Sequence, residues 1–191
     1  RCKVISLGDL ANCVKEDESG DIACLRKVGD WIDILLMGNH EHPYVSRTRI
    51  SSYIPVFNGF HYSAYVAEEL NRIEEMGSLR PAYLRGDLLI SHAGWDRDMH
   101  PFISTAQEAS QALTEALRDE GWTHRYFGGI GQSRGGYTKH GGILWEDFND
   151  IRSAFPQLVG HTVGSTIRYK SNIICLDTGG GKYGRPTAIT I

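Results

Sequence analysis

Four short apolar runs along the chain each stop at a small polar cluster. Val4–Leu7 stops at Gly8-Asp9, Trp31–Met37 at Gly38-Asn39-His40-Glu41, Leu88–Ile90 at Ser91-His92, and a fourth run at Gly160-His161-Thr162. Short apolar runs closed by turn residues read as buried strands. After an acidic loop over 15–20, Asp21 opens a short helix carrying Ile22, Leu25 and Val28 at helical spacing. Strand Ile32–Met37 then follows. The order β-α-β predicts a parallel sheet.

Further along, Val66, Leu70 and Ile73 share one face of a helix predicted over 62–76, stopped by Gly77. The runs Pro81–Leu84 and Leu88–Ser91 flank Arg85-Gly86-Asp87, which predicts a hairpin leading into a second sheet. Thr105 and Glu108 form a capping-box pattern for a helix to about Arg118, with Ala109, Ala112, Leu113 and Ala116 inward. From Gly121 to Gly142 the chain is Gly-rich and lacks periodicity, so a long loop is expected there. Loops of that length in compact domains are usually functional or mobile. Three β-like runs close the chain, at 167–169, 172–176 and 187–191. The pattern predicts a single α/β domain over residues 1–191, with βαβ units first and antiparallel pairing later.

Composition narrows the classes. A chain of 191 residues, 41% hydrophobic and 23% charged, can bury a core without disulfides. A net charge of −3 with no Lys/Arg-rich block gives no broad nucleic-acid footprint. The apolar stretches are far shorter than the roughly 20 residues needed to span a bilayer. Cys2, Cys13, Cys24 and Cys175 match neither paired zinc ligands nor a compact disulfide framework, and a reducing, cytoplasmic compartment is expected.

The strand-end residues carry the chemistry. In open α/β sheets the carboxyl ends of strands build the ligand site. Asp9, Asn39, His92 and His161 are oxygen and nitrogen donors suited to first-row divalent metals. A carboxylate such as Asp9 can bridge two cations. Asn39 offers a neutral oxygen ligand, and its amide can also donate to a phosphate oxygen. His40 adjoins Asn39, so its side chain should point elsewhere, which suits protonation of a leaving alkoxide better than ligation. Each residue alone fits a turn, cap or core role; their joint arrival at strand ends predicts a metal-dependent phosphoester hydrolase.

On these residues the chain resembles the calcineurin-like metallophosphoesterase superfamily. Gly8-Asp9, Gly38-Asn39-His40-Glu41, Ser91-His92-Ala93-Gly94 and Gly160-His161-Thr162 occur in the family's order. Gly131 to Gly136, Gly141 to Asp147, and Cys175-Leu176-Asp177-Thr178-Gly179 resemble the bacterial and phage phosphatases related to the Ser/Thr phosphoprotein phosphatases and the symmetrical dinucleoside tetraphosphatases. The resemblance implies a β-sandwich of mixed sheets flanked by helices (α/β/β/α). It also implies two divalent metal ions (manganese, iron or zinc) bridged by Asp9, with Asn39, His92 and His161 completing the second metal and His40 as general acid.

The chain departs from that pattern at two places. The family's Asp-x-His strand, which supplies the first metal, has no counterpart before Asp9. The chain opens at Arg1, and an N-terminal segment of several tens of residues is expected to be missing. Asp98-Met99-His100 has the same spacing but follows the His92 strand, and is read as coincidence. After Gly8-Asp9 the family carries an acidic residue and an arginine where this chain has Asn12 and Cys13. Asn12 can hydrogen-bond His40 without stabilising an imidazolium. Arg134 is then the expected phosphate-gripping residue, with Arg97 a second choice.

The expected reaction is in-line attack of an activated water on phosphorus. The expected substrate is a phosphorylated small molecule, a nucleotide polyphosphate or a phosphoprotein. Two readings compete with it: a catalytically weakened protein-interaction module of the same fold, and a phosphodiesterase or nuclease of the same superfamily.

Overall fold

The structure is a computed structural model and describes residues 2–11, 18–46, 62–99, 101–180 and 186–191. Among these, helices and strands arrange as two sheets with helices packed against them. The first sheet is parallel, in the order β1 (Ile5–Ser6), β2 (Ile34–Leu36), β3 (Leu79–Arg80). The second has five strands: β4 (Ala82–Arg85), β5 (Leu88–Ser91), β6 (Gln157–Val159), β7 (Arg168–Lys170) and β8 (Ile173–Cys175). They lie in the order β4-β5-β6-β8-β7. β5, β6 and β8 run parallel, and β4 and β7 flank them antiparallel.

Alternation along the strands decides what each face meets. Ile34 and Leu36 share a core with Ile90, Leu158 and Leu176, so residues of both sheets bury against one another. Leu35 and Met37 point the other way, into a cluster with Leu25, Val66, Leu70 and Ile73 from α1 (Glu18–Leu25) and α3 (Ala64–Glu75). Leu89 of β5 joins that cluster alongside Ala109, Leu113 and Ala116 of α4 (Ala106–Glu120). Period 2 in a strand permits this two-sided burial.

Helix ends follow local chemistry. The Thr105 side chain accepts from Glu108 N–H while Glu108 reaches back to the Thr105 N–H, a complete capping box. Ser63 caps α3 through Val66 N–H, and Val66, Leu70 and Ile73 are fully buried as their spacing predicts. Each such side chain contributes roughly 1.5–3 kcal/mol on burial.

The structure differs from the pattern in four places. α1 begins at Glu18, ahead of Asp21, because its first turn is polar and carries no periodic signal. A short helix, α2 (His42–Ser46), follows directly on Gly38–Glu41. The Gly-rich stretch contains a 3₁₀ turn at Gly121–Thr123, helix α5 (Arg125–Gly128) and a second 3₁₀ turn at Gln132–Arg134. Residues 187–191 form no strand, since isolated apolar residues without a paired neighbour have no ladder to join. Residues 15–17 of the acidic loop lie outside the described residues. No helix among the described residues is long and apolar enough to cross a membrane.

Candidate functional site

Parallel β1 and β2, and parallel β5 and β6, all point their carboxyl ends toward one groove of about 1010 Å³. Gly8, Asp9, Asn39, His40, His92 and His161 line it, together with Arg134 from the Gly-rich segment. Asp9, Asn39, His40, His92, His161 and Arg134 are therefore brought together. Asn12 lies outside the described residues. Arg97 does not line the groove; it is exposed beyond β5 with Nε 3.6 Å from Asp98.

Backbone geometry explains the glycines. Gly8 has φ 96°, and a Cβ there would meet Gly38 Cα and Leu36 O at 2.8 Å. A Cβ on Gly38 would meet Asp9 Oδ1 at 2.3 Å and Glu41 Oε2 at 2.4 Å. Only two glycines let the β1 and β2 ends approach so closely. Asp9 and His161 themselves adopt φ 56° and 64°. Left-handed backbone at a non-glycine residue costs on the order of 1–3 kcal/mol and persists only where surrounding contacts hold it.

Glu41 supplies such a hold. Its fully buried carboxylate accepts Asp9 N–H (2.9 Å), Ala11 N–H (2.8 Å) and Gly38 N–H (3.0 Å). It ties both loops to one point. Burial raises its pKa, the Asp9 charge raises it further, and the N–H donors oppose both. In the sequence Glu41 stands only as the last residue of the Gly38–Glu41 motif, with no task of its own. A carboxylate four residues after an apolar strand, just before a helix, is the signal that pointed to it.

His92 organises the donors. Its Nδ1 lies 2.6 Å from Leu7 O. A carbonyl only accepts, so Nδ1 carries the hydrogen and donates it. In the neutral ring Nε2 is then bare, and it faces Asn39 Oδ1 at 2.9 Å, His161 Nδ1 at 3.0 Å and Asp9 Oδ2 at 3.4 Å. The other Asp9 oxygen accepts His40 N–H at 3.2 Å. His161 is held neutral, its pKa pushed well below the usual range by burial first, then by the charges of His92, Arg134 and His40. His161 Nε2 is buried and makes no hydrogen bond among the described residues. Converging lone pairs repel unless a proton or cation sits between them.

Asp9, His92 and His161 offer atoms within 4.8 Å of one another, the spacing of ligands around one ion. An imidazole whose second nitrogen donates to a backbone carbonyl is the usual state of a histidine ligand. These residues fit one divalent cation. The four donors provide no second set.

Arg134 enters already engaged. Its Nη2 donates to Thr162 Oγ1 and pairs with Asp147 Oδ2 at 2.9 Å. Thr162 Oγ1 also accepts Phe148 N–H at 3.0 Å. Arg134 stands at the groove as expected from the sequence, and Asp147 and Thr162, which the sequence does not single out, aim it.

The cysteines supply no placed nucleophile among the described residues. Cys2 and Cys24 are exposed, Cys2 bordering the groove beside Lys3. Cys175 is buried beneath the Gly160–Thr162 turn, with Sγ 3.4 Å from Gly160 O, and burial pushes its thiol up. A thiolate nucleophile needs the opposite shift and exposure to substrate.

No protein-family model matches the chain, and no curated protein does. Solved structures do. The chain is similar to the crystal structure of a cold-active protein-tyrosine phosphatase from a psychrophilic Shewanella species, with a TM-score of 0.53 and 16% identity. The match covers 95% of this chain and 61% of that one. A second structure, titled a cold-active protein tyrosine phosphatase at 1.1 Å, matches with TM-score 0.53 and 16% identity over 95% of this chain and 60% of its own. The chain thus spans about three fifths of their length. Its fold is theirs.

These neighbours correct two expectations. The resemblance to calcineurin-like metallophosphoesterases does not stand, since no family model matches and the proteins sharing the fold are titled protein-tyrosine phosphatases. The metallophosphoesterase type of the sandwich goes with it, while the α/β class with two sheets holds. The pair of divalent metal ions is withdrawn on the same finding. Its physical counterpart is the single donor set around His92. The strand-end residues that prompted both readings are shared polar chemistry, and a short motif does not identify a family by itself.

Proposed function

We propose that the chain is a phosphoester hydrolase whose site is the groove at the carboxyl ends of β1, β2, β5 and β6. The convergence of Asp9, Asn39, His92 and His161 on one point, beside His40 and Arg134, carries this reading. The fold neighbours, titled phosphatases, support the reaction class. The substrate class is a phosphorylated protein or small molecule.

In this reading Asp9, Asn39, His92 and His161 cradle one divalent cation, which supplies positive charge to the phosphoryl oxygens. Asn39 orients a phosphoryl oxygen through its amide. Arg134 adds charge from the same groove, its angle set by Asp147 and Thr162. His40 lines the groove next to Asn39 and protonates the departing oxygen. A positioned general acid contributes roughly 10²–10⁴-fold.

Two measurements test the reading separately. Calorimetric titration with Mn²⁺ should show one ion bound per chain, with binding lost in His161→Ala; two ions, or none, would refute the cradle. For His40→Ala, turnover of an alkyl phosphate should fall far more than turnover of p-nitrophenyl phosphate, because only a poor leaving group needs the proton. Equal losses on both esters would remove His40 from that role.

A further inference from the structure

The groove has a second end. β1 and β5 bring their carboxyl ends to the donors around His92, so their amino ends lie away from them. Leu88 and Ile90 of β5 face the cluster between the sheets, Leu89 faces the helices, and His92 continues the inner face. Register sets Tyr83 beside Ile90 and Arg85 beside Leu88. Lys3, Ile5 and Leu7 line the groove from the segment of β1. Lys3 Nζ lies 5.2 Å from the Tyr83 ring centroid, so the two walls meet there. The run from His92 back to Leu88 spans roughly 13 Å, at roughly 3.3 Å per residue.

Between the ends the lining is apolar. Ile5, Leu7, Tyr83, Ile90, Leu158 and Leu176 belong to the cluster between the sheets and also line the groove. Apolar walls on two sides suit an apolar body. A sugar or a peptide backbone would lose water there without gaining partners. Charge is divided by end. Asp9 and Asp177 stand at the carboxyl end, Asp177 because it follows β8, which runs parallel to β6. Lys3 and Arg85 stand at the other end and are exposed. Neither has a carboxylate within salt-bridge distance among the described residues. Two cations without counter-ions at the end of an apolar slot attract an anion.

We propose that Lys3 and Arg85 form an anion subsite, and that the substrate is a phosphoester whose apolar body carries a second anionic group. The run of β5 sets the separation of the two anionic groups at roughly 13 Å. The phosphate sits at the donors around His92, and the body lies along Leu7, Ile90 and Tyr83. The far anion meets the Arg85 guanidinium, which matches a carboxylate or a phosphate bidentately. Lys3, held over the Tyr83 ring, adds a second positive charge there.

The substrate statement rests on the phosphoester reading above; the subsite does not, because binding reports it without turnover. Esters of graded length serve as rulers on the full chain. They are phenyl phosphate, biphenyl phosphate, and each of these with a carboxylate opposite the ester oxygen. On the biphenyl body the carboxylate should raise kcat/KM by about tenfold, the effect of one charge-assisted contact. On the phenyl body, too short to reach Arg85, it should bring no gain. Arg85→Glu should return the biphenyl ratio to one or below, and Lys3→Ala should lower it. Each ratio is taken within one variant, so a general loss of activity cancels. A wild-type ratio of one, or a tenfold ratio that survives Arg85→Glu, would overturn the subsite. A second phosphate in place of the carboxylate shows which anion is preferred, and a gain from either supports the subsite. Absence of turnover with every ester would count against the phosphoester reading. Calorimetry with the biphenyl carboxylate ester then decides the subsite by itself. Binding at least tenfold weaker in Arg85→Glu supports it, and equal binding overturns it.

Discussion

Two histidine clusters flank the loop after β5, and they differ in how the imidazole is held. His92 donates Nδ1–H to the Leu7 carbonyl at 2.6 Å, which fixes the ring's tautomer and leaves Nε2 aimed at Asp9, Asn39 and His161. His140 has no such carbonyl among its described partners. It is ringed by Asp96, Asp98, Glu146 and Arg152, at 3.4–3.8 Å. An imidazole anchored through one nitrogen presents the other as a fixed electron-pair donor. The same side chain is a fixed donor in one place and sits loosely among charged groups in the other.

Replacing the anchored ring should break the comparison most sharply. His92→Ala removes the donor around which Asp9, Asn39 and His161 are arranged, and Mn²⁺ affinity measured by calorimetry should fall by more than about 100-fold. An unchanged affinity would separate His92 from cation binding altogether. Next in size is Glu41→Ala, which leaves the buried N–H groups of Asp9, Ala11 and Gly38 without their acceptor. Each lost buried bond costs about 1–3 kcal/mol, so urea unfolding should show a loss of roughly 3 kcal/mol or more.

Arg134→Ala tests whether this groove cation works with the donor cluster around His92. KM for a phosphoester should rise about tenfold, the cost of losing one charge-assisted contact. Asp147→Asn should raise KM by less, because it frees the guanidinium from its partner without removing it. A further effect concerns pH. A carboxyl group whose folded pKa is raised binds more protons in the native state than in the unfolded state. For Glu146, stability should therefore decline as pH rises from the ordinary value of 4.5 through about 7, then level off. Glu146→Gln should flatten that slope, while His92→Ala should leave it in place.

Sequence pattern located much of this. Apolar runs closed by Gly-Asp, Gly-Asn-His, Ser-His and Gly-His mark strand ends, and all four meet at the groove. The Thr105–Glu108 cap and the Val66, Leu70, Ile73 face were legible because capping and helical burial are local, decided within four residues. The family reading failed for a related reason. Short polar motifs at strand ends describe donor chemistry, and donor chemistry recurs on different folds. Arg97 was a candidate through nearness in sequence to His92. Yet Arg97 N–H bonds Arg152 O, and its side chain stays exposed outside the groove.

What the sequence determined alone was the two long helices, most of the strands and the kind of side chains at their ends. Hydrophobic period, caps and turn residues act over a few positions, so they can be read from order. Tertiary structure alone decided that Glu41 binds three backbone N–H groups across two loops. It also decided that Asp147 and Thr162 aim Arg134, and that His140 sits among buried carboxylates. Those contacts join residues tens of positions apart. Their energies depend on burial and on the direction of each donor and acceptor, and both exist only once the strands have packed.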